Sequence, residues 1–241
     1  MRPYVKSLDP DTLPWVPIFN TGVDRRFYNT DPKDKSFTCV IRVPKDWVGP
    51  SGAHYHSSFE EGYVVEGSLT LDGTDYLQPG SYLYRPAMIV HGWTELSPES
   101  ATVVVRRGGV ADIVPVGPAL HPYEYPYEEV HDGRKHVLHL KTDEMQWTAT
   151  ESGYDTKVLS TDRDNGDRSY LVSLPAGWRG ELPRSHGRDL ECVVLEGAAE
   201  LDDATQLGRL HYLYRPPGDH QAPIVASKQG CKALVWEETV S

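Results

Sequence analysis

Short runs of alternating apolar and polar residues, rich in Val, Ile, Tyr and Thr, follow one another along the first half of the chain. Gly, Pro and Asp separate the runs, and no stretch sustains the 3.6-residue period of an amphipathic helix. β-branched and aromatic residues suit a pleated, half-buried surface, so each run predicts a β-strand. The runs are TCVIRV (38–43), GYVVEGSLTL (62–71), YLYRP (82–86) and ATVVVRR (101–107).

The second half of the chain repeats this pattern at an offset near 130 residues, with the runs SYLVSL (169–174), CVVLEGAAEL (192–201), YLYRP (212–216) and KALVWEE (232–238). Segments 66–86 and 196–216 align without a gap and share ten of 21 residues, where background composition gives roughly one or two. We therefore predict an internal duplication that gives two all-β barrels, residues 1–108 and 144–241, joined by a connector at 109–143.

Charge and composition narrow the classes of partner. The chain has 24 Lys plus Arg against 35 Asp plus Glu, a net charge of −11, which argues against binding to nucleic acid or an anionic membrane. No window approaches 18 apolar residues, and the N-terminus lacks the apolar stretch of a signal peptide. The three cysteines are scattered and odd in number. A soluble, cytoplasmic protein is the prediction.

Candidate metal ligands occur only in the first copy. His54 and His56 are two residues apart, so on an extended strand both rings leave the same face. Glu60 shares their parity, and His91 follows the YLYRP run on a later strand. Three imidazoles and a carboxylate suit a divalent metal and leave one or two coordination positions open. We predict one metal per chain, with Glu60 as a ligand or as the group that accepts a substrate proton.

The spacing of these residues resembles that of the cupins, here as a two-domain bicupin. The first cupin motif, His-x-His, three or four residues, Glu, six residues and Gly, is matched by His54, His56, Glu60 and Gly67. The second, Gly, five residues and Pro, with a His further on, is matched by Gly80, Pro86 and His91. Glu95 stands where the family has asparagine, a position expected to affect loop geometry only.

The resemblance implies two double-stranded β-helix (jelly-roll) barrels, and within the superfamily it extends to the ChrR-type and acetylacetone-dioxygenase-type branch. The second copy keeps the fold residues and loses the ligands. In its register Arg184, His186, Leu190 and Gln221 take the four ligand positions. One ligand in four does not make a site, so the second barrel is expected to serve packing, oligomer contacts or a lid.

Three functions are consistent with this site. The first is a non-haem Fe(II) dioxygenase that cleaves a chelating diketone, hydroxyketone or phenolic molecule with O₂. The second is a non-redox isomerase, lyase or hydrolase that uses Zn, Mn or Ni, and the third is a ChrR-like zinc-binding sensor module. A purely structural metal is a further alternative.

Four residues near the predicted strands are candidates for the substrate pocket, and they are Arg42, Tyr84, Trp93 and Arg106. The partners expected are therefore a small-molecule substrate, O₂ for the oxygenase, and a second copy of the chain in a homodimer.

Overall fold

A computed structural model of the chain describes residues 1–49, 52–92, 94–117, 123, 133–182, 187–201, 204–219 and 223–239. These residues form β-strands and two single turns of 3₁₀ helix, Pro10–Thr12 and Thr142–Glu144. In this part of the chain, no helix has the length and apolar character needed to cross a membrane.

The strands of the first half of the chain are β1 (Val5–Leu8), β2 (Val16–Pro17), β3 (Asp24–Thr30), β4 (Phe37–Val43), β5 (Trp47–Val48), β6 (His54–Tyr55), β7 (Glu60–Glu66), β8 (Leu69–Thr70), β9 (Tyr76–Leu77), β10 (Ser81–Arg85), β11 (Leu96–Ser97), β12 (Ala101–Arg107) and β13 (Val114–Pro115). Those of the second half are β14 (Val137–Lys141), β15 (Thr148–Ala149), β16 (Asp155–Thr161), β17 (Arg168–Leu174), β18 (Arg179–Gly180), β19 (Arg188–Leu201), β20 (Gln206–Leu207), β21 (Tyr212–Arg215) and β22 (Ile224–Thr239).

The chain divides into two compact units. The first barrel is Pro14–Thr142, and the second barrel combines Met1–Leu13 with Asp143–Ser241. The predicted all-β class and internal duplication are confirmed, because each unit is built from antiparallel strands. The predicted segments were 1–108, 109–143 and 144–241. In the structure residues 1–13 lie with the second barrel, and the described residues 109–117 and 133–142 lie with the first.

The main sheets of the two barrels have the same strand order. In the first barrel the order is β14-β10-β7-β12-β4-β3-β2, and in the second it is β1-β21-β19-β22-β17-β16-β15. The first barrel adds the short sheet β5-β11-β8-β9 and the pair β13-β6. In both barrels alternate residues of the strands point inward and form the core, as the period-two pattern of the sequence predicts.

A strand from the start of each repeat completes the sheet that carries the other repeat's YLYRP run. β1 pairs with β21, and β14 pairs with β10. In the second barrel Arg2, just ahead of β1, binds both oxygens of Glu191 at 2.8 and 2.9 Å, and the Tyr212 hydroxyl donates to the same carboxylate at 2.7 Å. These groups are buried, so their charges and hydrogen bonds hold β1 in place.

The first barrel repeats this arrangement with Arg134, Glu61 and Tyr82. The Arg134 guanidinium lies 3.6 Å from the Glu61 carboxylate, and the Tyr82 hydroxyl donates to Glu61 at 2.8 Å. The two tyrosines are the first residues of the repeated YLYRP. The recurrence of that pentapeptide therefore reflects a buried Arg-Glu-Tyr cluster that both barrels share. In each barrel the cluster holds the strand that comes from the start of the other repeat.

The repeated Glu-Gly dipeptide, at the end of β7 in one barrel and within β19 in the other, has an equally local reason. Gly67 and Gly197 adopt φ of 73° and 70°. A Cβ at Gly67 would lie 1.7 Å from the Ser100 carbonyl oxygen, and one at Gly197 would lie 2.2 Å from that of Gly230. Both the left-handed backbone and the close approach of the neighbouring strand require glycine.

Candidate metal centre

The three predicted histidines meet at one end of the first barrel. His54 lies on β6, and an antiparallel bridge pairs it with His91 through backbone hydrogen bonds of 2.8 and 2.9 Å. His56 follows two residues later on the same face. All three rings are buried, and their centroids lie 4.5–5.1 Å apart with the ring planes steeply inclined to one another. Strand alternation and one bridge are therefore sufficient to bring the three imidazoles together.

The hydrogen bonds of the rings fix which nitrogen faces the shared point. In each ring Nδ1 lies against a backbone carbonyl, that of Gly52 for His54, Asp112 for His56 and Ile89 for His91. A carbonyl oxygen only accepts, so Nδ1 donates and Nε2 keeps its lone pair. The same arrangement orients imidazoles in known metal sites.

This donor set fits a metal ion. The ligand atoms of the three rings lie within 4.8 Å of one another, and Nε2 of His56 and Nε2 of His91 are 3.1 Å apart. Two lone pairs at that distance repel unless a cation lies between them. Two nitrogens bound at about 2.1 Å in a tetrahedral site stand roughly 3.4 Å apart, close to the separation here.

Burial keeps these imidazoles neutral. It lowers the pKa of His56 to about 4 and that of His91 well below its usual value, and the nearby Arg85 lowers the pKa of His91 further. The pKa of His54 is lowered by the same loss of hydration. Metal ions bind the neutral form of imidazole, so the site is ready to bind a cation at neutral pH.

Glu60, the fourth predicted ligand, lies beside the three histidines and is held by two arginines. Its Oε2 is 3.7 Å from Nε2 of His56 and 3.8 Å from Nε2 of His91. Arg85 Nη1 contacts Oε2 at 2.7 Å, and Arg107 Nη1 contacts Oε1 at 3.3 Å. Burial alone would raise the pKa of Glu60, but the permanent positive charges of Arg85 and Arg107 lower it well below its usual value. The carboxylate is therefore ionised.

A cavity of about 170 Å³ opens from the histidines into the interior of the first barrel. Apolar side chains from β4, β8, β12 and the 18–23 turn form most of its wall, together with Trp47. The charged groups of the wall are Arg25, Glu60, Arg85, Glu95, Arg107 and Asp112. A small molecule inside it would meet the histidines, and an apolar wall with few polar groups is typical of a ligand site.

Glu95 is a functional candidate that the sequence placed among peripheral residues. Its carboxyl lines the cavity, and a Cβ added at Gly92 would touch both the His54 ring and a Glu95 oxygen. Burial raises the pKa of Glu95 to about 7, against the opposing effect of Arg85. The departure from the family's asparagine therefore changes the chemistry of the cavity as well as a loop.

Three of the predicted pocket residues do not line this cavity, so that part of the prediction is wrong. Arg42 lies on the outer face of β4, where its half-exposed guanidinium pairs with Asp24 at 2.8 Å. Arg106 and Tyr84 are buried on the outer faces of β12 and β10, where both contact Phe59.

Each of these residues is one position away from an inward-facing one, since side chains alternate along a strand. Ile41, Arg85 and Arg107 are the neighbours that reach the cavity. Trp93 lies outside the described residues.

The second barrel has a different interior at these positions. Leu190 stands at the position of Glu60 and packs into the apolar core. The other three positions, Arg184, His186 and Gln221, lie outside the described residues. Within the part of the chain that the structure describes, the three histidines of the first barrel form the one group of His, Cys, Asp or Glu side chains arranged to hold a metal.

Comparison with known proteins agrees with this architecture. Residues 5–111 and 135–241 each match the ChrR cupin-like domain family. No curated protein matches the chain.

Several solved structures share the fold. A protein described as a "putative dioxygenase" from Nostoc punctiforme has a TM-score of 0.77 and 18% identity, covering 97% of this chain and 82% of that one. Oxalate decarboxylase of Bacillus subtilis has a TM-score of 0.64 and 13% identity, covering 97% of this chain and 76% of that one. A bacterial pirin of Escherichia coli in complex with nickel(II) gives 0.63 and 12%, covering both chains completely. At these identities the likeness establishes the fold alone.

Proposed function

The chain belongs to the ChrR cupin-like family, and we propose that its first barrel is a metal-dependent dioxygenase that cleaves a small chelating molecule. His54, His56 and His91 would hold one Fe(II). The observation that carries the proposal is the grouping of three buried imidazoles, with ligand atoms within 4.8 Å of one another, in the wall of a cavity. Likeness to the Nostoc punctiforme protein, described as a "putative dioxygenase", supports it as an analogy of fold.

Bound Fe(II) would supply Lewis acidity and redox chemistry toward O₂, and a diketone, hydroxyketone or phenol with two oxygens would suit its open positions. The chain's own residues have other tasks. The backbone carbonyls of Gly52, Asp112 and Ile89 hold the imidazoles in the neutral tautomer with Nε2 inward. The apolar wall of the cavity excludes water and orients a small substrate.

Glu60 is proposed to act as an anion beside the metal, as a fourth ligand or as an acceptor of a substrate proton. The contacts with Arg85 and Arg107 favour the role of fourth ligand over that of proton acceptor. A carboxylate with a pKa well below its usual value is a weak base at neutral pH. A negative charge adjacent to the ring nitrogens instead stabilises a cation there.

Glu95 supports a second candidate function. A carboxyl with a pKa of about 7 that lines the cavity can both donate and accept a proton near neutral pH. With Zn, Mn or Ni in place of iron, the same site would then polarise a carbonyl while Glu95 moves a proton, as in an isomerase or a lyase.

Elemental analysis followed by an oxygen-uptake screen tests the proposal. We expect one equivalent of iron per chain and oxygen consumption one-to-one with a chelating diketone, hydroxyketone or phenol. Turnover that is unaffected by strict anaerobiosis, and that Zn²⁺ or Ni²⁺ supports as well as Fe²⁺, would rule out the dioxygenase in favour of the non-redox candidate. Tight zinc without turnover of any substrate would instead support a sensor module.

A homodimer in the cytoplasm is the state proposed for the protein, on the sequence arguments alone. Sedimentation at micromolar concentration is the direct measurement. A single species near 27 kDa, the mass of one chain, would contradict the dimer.

A further inference from the structure

Arg25 is a charged side chain of the cavity that has no anionic partner among the described residues. It occupies an inward-facing position on β3, and its guanidinium lies over the Phe27 ring at 4.4 Å and the Phe37 ring at 5.5 Å. Its Nε is buried without a hydrogen-bond partner, and no carboxylate of the described residues forms an ion pair with it. The two other arginines of the cavity differ, because Arg85 and Arg107 both contact Glu60.

Arg25 is partly buried, so its cation has lost part of its hydration, and this loss costs free energy unless something compensates it. Arginine stays protonated at any ordinary pH, so loss of water cannot be relieved by loss of the proton. The two phenylalanine faces offset part of the cost and fix the orientation of the guanidinium. Arg25 lines the cavity, where a carboxylate of a ligand would match the fork of N–H donors that a guanidinium presents.

Arg25 shares the cavity with the candidate metal ligands. The ring beneath it, Phe37, is the register partner of Arg107 across β4 and β12. Arg107 in turn contacts Glu60, which lies 3.7 Å from a ligand nitrogen of His56. One molecule in this cavity can therefore contact both Arg25 and a metal held by the histidines. The cavity, about 170 Å³, is smaller than the roughly 300–1,000 Å³ of sites for drug-sized ligands, which restricts that molecule to a small one.

The second barrel indicates that Arg25 does not serve the scaffold. Scaffold positions keep their function in both repeats: Arg26 lies over Trp15 at 4.3 Å, and Lys157 lies over Trp147 at 4.4 Å. Arg25 has no such counterpart, since the register places Thr156 at its position.

The phenylalanine platform is also confined to the first barrel. Val158 replaces Phe27, and Arg168, paired with Glu237 at 2.7 Å, replaces Phe37. Arg25 and its platform therefore occur only in the barrel that carries the three histidines.

We propose that Arg25 binds a carboxylate of the substrate, so that the substrate is a small organic acid whose other end carries two oxygens that chelate the metal. This inference rests on the proposed function for the chelating end alone. The carboxylate end is a matter of charge recognition, and it is measurable whether or not the molecule is turned over.

Two probes that differ by one carboxylate test it. 2,4-Dioxopentanoate and acetylacetone share a β-diketone, and only the first has the carboxylate. Their affinities for the purified protein, with and without one equivalent of Ni²⁺, are measured by titration calorimetry. We expect wild type to bind the acid at least about 10-fold more tightly than the neutral diketone, as a charge-assisted hydrogen bond provides.

The variants are Arg25→Gln, Arg25→Lys and the matched control Arg42→Gln, which loses a half-exposed ion pair on the outer face. Arg25→Gln should abolish the preference for the acid, Arg25→Lys should retain part of it, and Arg42→Gln should keep it whole. Circular dichroism of each variant shows whether it is folded.

Equal affinity of wild type for the two probes, an unchanged preference in Arg25→Gln, or no binding of the acid by wild type would each overturn the inference. An Arg25-dependent preference without oxygen consumption would leave the carboxylate site standing and count against the dioxygenase. Oxygen consumption together with a preference for the acid that does not depend on Arg25 would support the dioxygenase and overturn the carboxylate site.

Discussion

In the second barrel Tyr154 and Tyr170 occupy the positions that Val23 and Cys39 hold in the first. Both tyrosine rings are buried in the core of the second barrel. Val23 and Cys39 line the cavity of the first barrel instead. The empty volume next to the histidines therefore follows from two small side chains on a scaffold that otherwise accommodates aromatic rings.

Charge differs between the barrels in the same way. Glu60 and Glu95 line the cavity of the first barrel, whereas Leu190 and Ile224 take these positions in the second and join its apolar core. The buried Arg-Glu-Tyr cluster is present in both barrels, with Glu61 in one and Glu191 in the other. Duplication thus preserved the residues that fix the strands, and the inner face alone separates a site from a packed core.

The largest effect expected is loss of the metal from the first barrel. His91→Ala removes one of the three buried histidines proposed as ligands, and we expect stoichiometric metal to fall to background together with any turnover. The measurement is elemental analysis of the purified variant. His211→Ala is the matched control, since this histidine of the second barrel lies beside Asp9, 3.8 Å away, and should leave the metal unchanged. Two metals per wild-type chain would break the contrast between the barrels.

Removal of the buried carboxylates that both barrels share, Glu191 and Glu61, should cause the largest loss of stability. Glu191→Ala leaves the buried Arg2 guanidinium without its carboxylate, and we expect the free energy of unfolding of the second barrel to fall by about 3–5 kcal/mol. Glu61→Ala should destabilise the first barrel in the same direction, and by less because Arg134 is 3.6 Å away.

Urea unfolding monitored by circular dichroism measures both effects. Glu196→Ala, which removes an exposed contact with Lys232, is the control and should cost under about 1 kcal/mol. Equal losses of unfolding free energy in all three variants would show that the buried Arg-Glu contacts contribute no more to stability than a surface ion pair.

Glu95 should give the two barrels different responses to pH. Its folded pKa is about 7 against an ordinary value of 4.5, so the folded state holds a proton that the unfolded chain has lost between these values. Stability from this group is complete below about pH 4.5 and falls as the pH rises to about 7, by at most about 3 kcal/mol.

Glu95→Gln and Glu95→Ile should therefore raise the free energy of unfolding at pH 8 and change it little near pH 4.5. The second barrel already has isoleucine at this position. Glu99→Gln, at an exposed residue nearby, should have no effect at either pH. A Glu95→Gln protein that follows the wild-type curve across this range would contradict the raised pKa.

The repeated strands and the three histidines could be predicted because both depend on local spacing. Period-two alternation identifies a strand, and His54 and His56 share a face wherever that strand lies. The choice between Arg106 and Arg107 could not be made this way, since an isolated apolar run does not show which of its faces is inward. The same ambiguity placed Arg42 in the pocket and passed over Arg25.

The strand exchange depends on contacts between residues far apart in sequence, and the 130-residue alignment did not extend to it. A signal was nonetheless present: Arg2, Val5 and Leu8 correspond to Arg134, Val137 and Leu140 at an offset of 132. Read together with the repeated tyrosines, that match would have assigned the ends of the two repeats. The raised pKa of Glu95 has no such signal, because it arises from burial inside a cavity that only the folded chain defines.

The smallest effect expected concerns the cavity itself, and it converts one barrel toward the other. Cys39→Tyr introduces the second barrel's aromatic residue at the equivalent inward position. The ring should fill the cavity, at a cost of about 1–3 kcal/mol in the free energy of unfolding because the first barrel is not shaped to receive it. Since Cys39 is not one of the three histidines, the metal should stay bound while a β-diketone no longer enters. Cys39→Ser, which keeps the side chain small, is the control and should bind both. Elemental analysis and titration calorimetry distinguish these outcomes, and a Cys39→Tyr protein that still binds the diketone with wild-type affinity would show that this cavity is not where the ligand lies.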